Sequence, residues 1–430
     1  MRHNEDMGKL MSVPLSRAFD LAPYRAFEHD IERKLRIAAR PLRGKRILHI
    51  NSTAQGGGVA ELLQSQVRFE RALGIKSSWY VLDAPKEFFA ITKKIHNLLQ
   101  GKQGSLSAAE QAQYRSASRQ FDRSFARVAG ALKPDIIVLH DPQPLGLAAD
   151  AARRAPLIIR LHGDLLTPNT AALEFVRPSI AAAQKVVVSN KDYLTQLPWL
   201  AKKQAAVIYP AIDPLSEKNR PMAPAIAHKL LAEYGVNETK PMIAQVSRFD
   251  PWKDPLGVIQ AYYIAKNSIP DLQLVLAGLF LAQDDPEAME VYRRIAKHAA
   301  GDRDIFLFAD AEAVRAHSSV DLFVSAVYTA STIMVQKSVR EGFGLTMTEA
   351  MWKGKPLVAG ATSGANVQVR DKKNGIIVRS PEETARAIVR LLRTPSLAAT
   401  LGRAAHATVR RRFLMPRFVI DNLALYRTLL

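Results

Sequence analysis

The chain has 430 residues, 48% hydrophobic and 23% charged, with no long low-complexity tract. That excludes a fibrous or largely disordered protein and leaves room for two domains of roughly 200 residues each. Sixty Lys and Arg against forty Asp and Glu give a net charge of +20, so anions such as nucleotide diphosphates, acidic lipid or nucleic acid are the favoured partners, and the absence of cysteine excludes disulfides and thiolate chemistry.

In chain order, MRHNEDMGKLMSVPL mixes charged and apolar residues and lacks the apolar core of a signal peptide. With no cysteine, a cytoplasmic location is expected. The basic segment RKLRIAARPLRGKR (33–46) is the stretch that would dock on an anionic membrane. β-branched runs then alternate with Ala-rich segments of helical period: RILHI (46–50), SSWYVL (77–82), DIIVLH (135–140), LIIRLH (157–162), KVVVSN (185–190) and AAVIYP (205–210). Such alternation predicts βαβ units and a parallel sheet, here a domain over residues 1–215. Residues 216–240, rich in Pro, Lys and Glu, predict a linker with one helix. A second set follows in a domain over 241–405: MIAQVSRF (242–249), LQLVLAG (272–278), DIFLFA (304–309), TIMVQKS (332–338), PLVAG (356–360) and GIIV (375–378). Residues 406–430 predict an amphipathic helical segment that closes the second domain or packs back on the first. The longest uncharged apolar run, LFVSAVYTASTIMVQ (322–336), falls short of the ~20 residues a membrane span needs.

The fold class is therefore α/β, two Rossmann-like doubly wound domains, with ligands expected at the carboxyl ends of the strands and in the cleft between the halves. Gly56, Gly57 and Gly58 open directly into a helix, which suits either a tight βα turn or the approach of a phosphate or sugar oxygen to bare backbone N–H groups. Neither a dinucleotide fingerprint nor a P-loop is present. His140 with Asp141, and His162 with Asp164, end two predicted strands; they are candidates for acid–base work or metal binding, or else satisfy local backbone. Arg248 and Lys253 flank the turn after MIAQVSRF. A guanidinium beside an ammonium suits a diphosphate leaving group, although Asp250 and Asp254 offer plain surface salt bridges instead. In QKSVREGFGLTMTEAMWKGKP (336–356), Glu341 falls in a glycine-rich turn and Glu349 on the following helix, either to hold sugar hydroxyls or as one turn acid and one solvated helix acid. Basic residues are scattered and no RNP-like or helix-turn-helix pattern is visible, so nucleic acid is not an expected partner.

Five segments in order, HINSTAQGGGVAELL, LHDPQPLG, RLHGDLLTP, RFDPWKDPLGVIQAY and QKSVREGFGLTMTEAMWKGKP, resemble retaining glycosyltransferases of the GT-B architecture, the large family four with its E-x7-E signature. Within it they look like the trehalose-forming glycosyltransferring synthases, over about residues 45 to 380. The resemblance implies transfer of glucose from a nucleoside diphosphate glucose, UDP- or ADP-glucose, to free glucose, giving α,α-trehalose reversibly, with no cofactor and no metal. It implies front-face substitution, in which the leaving phosphate takes the acceptor's proton. Carried over by position, Arg248 and Lys253 bind the donor diphosphate, Glu341 the transferred glucose and Glu349 the ribose. His162 and Asp164 border the reacting sugar, and Gly56, Gly57 and Gly58 lie near the diphosphate and acceptor. His140, Asp141, Gln143, Gly342, Phe343, Gly344 and Leu345 fall among the substrate-binding positions. SGANVQ (363–368) stands where the family has GGI-x-LQ, with Gly364 and Gln368 retained. A homodimer is left open, a membrane-lipid acceptor is the rival reading, and sugar-nucleotide epimerases of similar two-domain build would need no acceptor at all.

Overall fold

The computed structural model describes residues 8–16, 19–279 and 288–430, so the first seven residues of the N-terminal reading lie outside it. The chain folds as two compact units: the first takes the residues up to Pro210 together with Met415–Leu430, the second the stretch from Ala211 to Leu414.

Seven strands form the sheet of the first unit: β1 (Lys9–Ser12), β2 (Arg46–Asn51), β3 (Lys76–Asp83), β4 (Ile136–His140), β5 (Leu157–Leu161), β6 (Lys185–Val188) and β7 (Ala205–Val207), in the order β1-β3-β2-β4-β5-β6-β7. All pairs are parallel except β1 with β3, which is antiparallel with Lys9 opposite Asp83. The sequence predicts the six parallel strands and misses β1, whose four residues, KLMS, are too short to show a period. β4 and β5 are buried along their whole length, as expected of parallel strands with helices over both faces. The order reverses at β2, which has β3 on one side and β4 on the other; that is the topological switch point.

The C-terminal helix Met415–Arg427 belongs to this first unit. Buried Arg160 on β5 fastens it, donating to Asn422 Oδ1 (3.1 Å) and to the Ile208 carbonyl (3.0 Å) with its guanidinium 4.6 Å from the Phe418 ring. Burial lowers the Arg160 pKa to about 10.

The second unit holds β8 (Met242–Val246), β9 (Gln273–Ala277), β10 (Ile305–Phe308), β11 (Ile333–Gln336), β12 (Leu357–Gly360) and β13 (Ile376–Val378), all parallel, in the order β10-β9-β8-β11-β12-β13. This is the doubly wound Rossmann order, with its switch point between β8 and β11. Residues 216–240, expected as a linker, lie within this unit: helix Pro224–Ala232 buries Ala227 and Leu231 and packs on helix Val320–Ala330. Its Pro- and Lys-rich flanks read as a connection because the apolar stripe on so short a helix is narrow. Among the described residues no helix is long and apolar enough to cross a membrane.

Candidate active site

In the second unit, the loops after β8 and β11 rise side by side at the switch point. After β8, Asp250 accepts a hydrogen bond from Trp252 N (2.9 Å) and so starts the turn Pro251–Lys253. Buried Gln245 donates to the Lys253 carbonyl (3.0 Å). The Trp252 carbonyl in turn accepts from Val339 N (2.8 Å), which joins this loop to the one after β11. Lys253 Nζ lies 2.5 Å from Glu341 Oε2, and Ser338 Oγ donates to the same oxygen at 3.4 Å. Arg248 keeps 35% of its side chain exposed, 3.8 Å from Asp250. Asp254 pairs with Lys337 and caps helix Pro255–Lys266 by accepting from Gly257 N (3.1 Å). The competing salt bridges foreseen for Asp250 and Asp254 therefore exist, but Lys253 points instead to Glu341.

Glu341 sits on a loop whose shape depends on its neighbours. Gly344, at φ +84°, starts helix Leu345–Trp352 in the left-handed region that favours glycine. Phe343 is buried edge-on against Phe413 (5.4 Å), so its ring packs, and Gly342 is buried beside it. From below, Gly364 N donates to the Glu341 carbonyl (3.0 Å), and Gln368 Nε2 to the carbonyls of Phe343 (2.5 Å) and Gly344 (3.2 Å). Thr348 completes this support by donating to Gln368 Oε1 (2.7 Å). The two residues retained in SGANVQ are thus the ones that brace the Glu341 loop.

Glu349 is buried, 1% exposed, with Oε1 2.7 Å from Lys218 Nζ and Oε2 accepting from Tyr328 (2.8 Å). Sequence reasoning does not find Lys218 or Tyr328, because both lie far away in the chain and neither belongs to a recognisable motif. One turn further on, burial pushes Lys353 and Lys355 down to about 8, with Glu349 opposing the shift at Lys353. Between pH 8 and their ordinary 10.5, the unfolded chain holds protons that the folded one has shed, so these two lysines make stability rise with pH across that window. Urea midpoints should show Lys355→Met rising less steeply than the parent from pH 8 to 10.5; equal slopes would contradict the burial argument.

In the first unit, the carboxyl ends of β2, β4 and β5 come together. Gly56 adopts φ +81°, and extended Gly57 starts helix Gly58–Ala72, whose first N–H groups receive no side-chain cap among the described residues. A Cβ on Gly57 would meet nothing within 4 Å. Asp141, at φ +63°, accepts from His162 N (2.7 Å) and so ties the loop after β4 to the one after β5, whereas Asp164 accepts from Leu166 N (2.8 Å) and shapes its own turn. Gln143 begins the short turn Gln143–Leu147, its side-chain oxygen buried and, among the described residues, with no hydrogen-bond partner.

The two strand-end histidines are brought into contact: His140 Nδ1 is 3.0 Å from His162 Nε2. Behind them, His140 Nε2 is 3.2 Å from His49 Nδ1, and His49 Nε2 is 3.2 Å from Glu70 Oε2. Burial, reinforced by neighbouring positive groups, holds His140 and His162 well below the ordinary imidazole value, so both are neutral. Burial would raise Glu70, but its contact with His49 and the hydrogen bonds from Ser77 and Gln66 outweigh that and hold the carboxyl below its ordinary value, ionised. Sequence reasoning misses His49 and Glu70; a lone histidine inside RILHI was the available signal. Among the described residues, no group of three or more His, Asp or Glu side chains is arranged to hold a metal ion.

A family model for the trehalose synthase N-terminal domain matches residues 49–195, and one for glycosyl transferases group 1 matches residues 228–408. Trehalose synthase from Rubrobacter xylanophilus is 37% identical over 95% of this chain and 97% of its own. The chain belongs to the trehalose synthase family. Trehalose synthase from Pyrococcus horikoshii is 36% identical over 89% of this chain and 90% of its own. Among solved structures, a sucrose-phosphate synthase from Thermosynechococcus elongatus superposes with a TM-score of 0.69 at 18% identity, over 90% of this chain and 99% of that one. That likeness gives the fold, GT-B, and the family gives a glycosyltransferase.

Proposed function

We propose that this glycosyltransferase moves glucose, with retention, from a nucleoside diphosphate glucose to the anomeric hydroxyl of free glucose, forming α,α-trehalose reversibly. The observation that carries the reading is the Lys253–Glu341 pair at the β8/β11 switch point, with Arg248 on the same loop. A nucleoside diphosphate needs cations where its negative charge grows, and a hexose needs a carboxylate to accept from its hydroxyls. Arg248 and Lys253 neutralise the departing diphosphate, so the chemistry requires no metal, and Glu341 holds the transferred glucose. Glu349 takes the ribose hydroxyls by sharing oxygens with Lys218 and Tyr328. In the first unit, His162 and Asp164 border the reacting sugar, with His140, Asp141, Gln143 and the Gly56–Gly58 turn contributing to the substrate sites. The relatives' name, trehalose synthase, supports the product.

The test is direct. Incubation with UDP-glucose or ADP-glucose and free glucose should yield α,α-trehalose, identified by NMR, and no disaccharide from any donor would sink the reading. Glu341→Ala should damage selection of the donor sugar more than nucleotide affinity, measured by comparing glucose and galactose donors; an unchanged preference would remove its role.

A further inference from the structure

The histidine chain in the first unit ends on an anion whose hydrogen bonds are fully assigned. Glu70 is completely buried and receives four donors: His49 Nε2 at 3.2 Å and Ser77 Oγ at 2.5 Å on one oxygen, Gln66 Nε2 at 2.8 Å and Tyr426 Oη at 3.1 Å on the other. Gln66 also donates to Tyr426 Oη (2.9 Å), which leaves the phenol proton for Glu70. An ionised carboxylate only accepts, so His49 must carry its proton on Nε2.

That one assignment propagates. A neutral His49 with its proton on Nε2 has a lone pair on Nδ1, so His140 must donate from Nε2 and keep its own lone pair on Nδ1. His162 must then donate from Nε2, and its Nδ1, the last nitrogen of the chain on a half-buried ring, is an acceptor. We propose that Glu70, through His49 and His140, sets the hydrogen-bond polarity of His162, and that one added proton reverses it. A proton taken from solvent at His162 Nδ1 moves the Nε2 proton of His162 to His140 Nδ1, and that of His140 to His49 Nδ1. The charge comes to rest on His49 against Glu70, while His140 and His162 stay neutral and His162 Nδ1 becomes a donor.

The surroundings favour that resting place. Arg160 and His96 add positive potential at His162, and Arg160 does so at His140, so neither ring welcomes the charge. Tyr426 has its pKa raised well above the ordinary value by burial and by Glu70, so it remains a neutral donor. Asp141 and Asp164, the nearby carboxylates, are engaged by the backbone N–H groups of His162 and Leu166. Glu70, His49 and His140 are positioning residues: they decide whether His162 accepts from a sugar hydroxyl or donates to its oxygen.

This inference rests on reading His162 as a sugar-side residue, and two measurements keep the two apart. Long-range proton–nitrogen NMR on full-length protein with isotope-labelled histidine should show all three rings protonated on Nε2 at alkaline pH. On acidification, His140 and His162 should switch to Nδ1 at one shared midpoint. In Glu70→Gln that midpoint should fall by on the order of one pH unit or more, because the counter-charge is gone, and the pH profile of kcat/KM for the acceptor should move with it. The proposal is overturned if His162 itself becomes doubly protonated, if the tautomers stay fixed throughout the folded range, or if the kinetic profile ignores the shift. Should Glu70→Gln fail to fold, the titration of the parent protein still decides the polarity. Full transfer activity in His162→Ala would instead defeat the sugar-side reading, without touching the shared midpoint.

Discussion

Lys253→Ala is expected to lower turnover about a hundredfold, roughly 3 kcal/mol of lost transition-state stabilisation, with the thermal unfolding midpoint little changed. The fold should survive because the turn around Lys253 is held by backbone and by other side chains: Asp250 to Trp252 N, Gln245 to the Lys253 carbonyl, and Trp252 to Val339. Among the described residues, the ammonium itself reaches only Glu341. That contact raises a competing explanation, that Lys253 serves merely to neutralise Glu341. A double-mutant cycle separates the two. If neutralising Glu341 were the whole role, Lys253→Ala combined with Glu341→Gln would recover most of the loss relative to Glu341→Gln alone. If Lys253 neutralises the leaving diphosphate, the double variant stays slower than Glu341→Gln by a similar factor. Arg248→Ala should show the same loss with less effect on Glu341, since the guanidinium lies beside Asp250. Kinetics like those of the parent in either single variant would remove the diphosphate assignment.

The strand cores were legible because parallel strands buried on both faces are written as continuous apolar runs, and Ile136–His140 or Met242–Val246 could scarcely be anything else. The loops after β8 and β11 were legible as chemistry because Arg248, Lys253 and Glu341 follow directly on such runs. What escaped were partners from elsewhere in the chain. Glu349 reads as a helix acid with one face to solvent, yet Lys218 and Tyr328 close over it. His49 reads as a polar blemish in a strand; only the β2–β4 pairing and helix Gly58–Ala72 place it between His140 and Glu70. The segment 406–430 was ambiguous in sequence, since an amphipathic helix declares that it needs a surface without saying which. Arg160 and Asn422 supply the answer through a contact 262 positions apart.

Gly364→Ala should be damaging although it adds a single methyl group. The position is helical, with φ in the ordinary range, so alanine costs nothing in backbone conformation and would even favour the helix. The obstacle is space: the new Cβ would stand 2.7 Å from the Phe343 carbonyl oxygen and 2.8 Å from both the Glu341 carbonyl oxygen and the Phe343 Cα. These are backbone atoms of the loop that carries Glu341, so no side chain can swing aside. Either that loop or helix Ser363–Gln368 must move, stretching the bonds from Gly364 N to Glu341 and from Gln368 to Phe343 and Gly344. Overpacking of this kind costs about 1–3 kcal/mol in stability. A displacement approaching 1 Å at Glu341 would cost up to about a hundredfold in rate. Gly130→Ala is the matched control: that glycine is exposed within helix Asp122–Leu132, a Cβ there meets nothing within 4 Å, and stability should hold or rise slightly. Thermal melts and kcat for the two variants decide the matter. A Gly364→Ala enzyme as stable and fast as the parent would mean that the SGANVQ helix does not brace the Glu341 loop, and Glu341 would then owe its position to Lys253 and Ser338 alone.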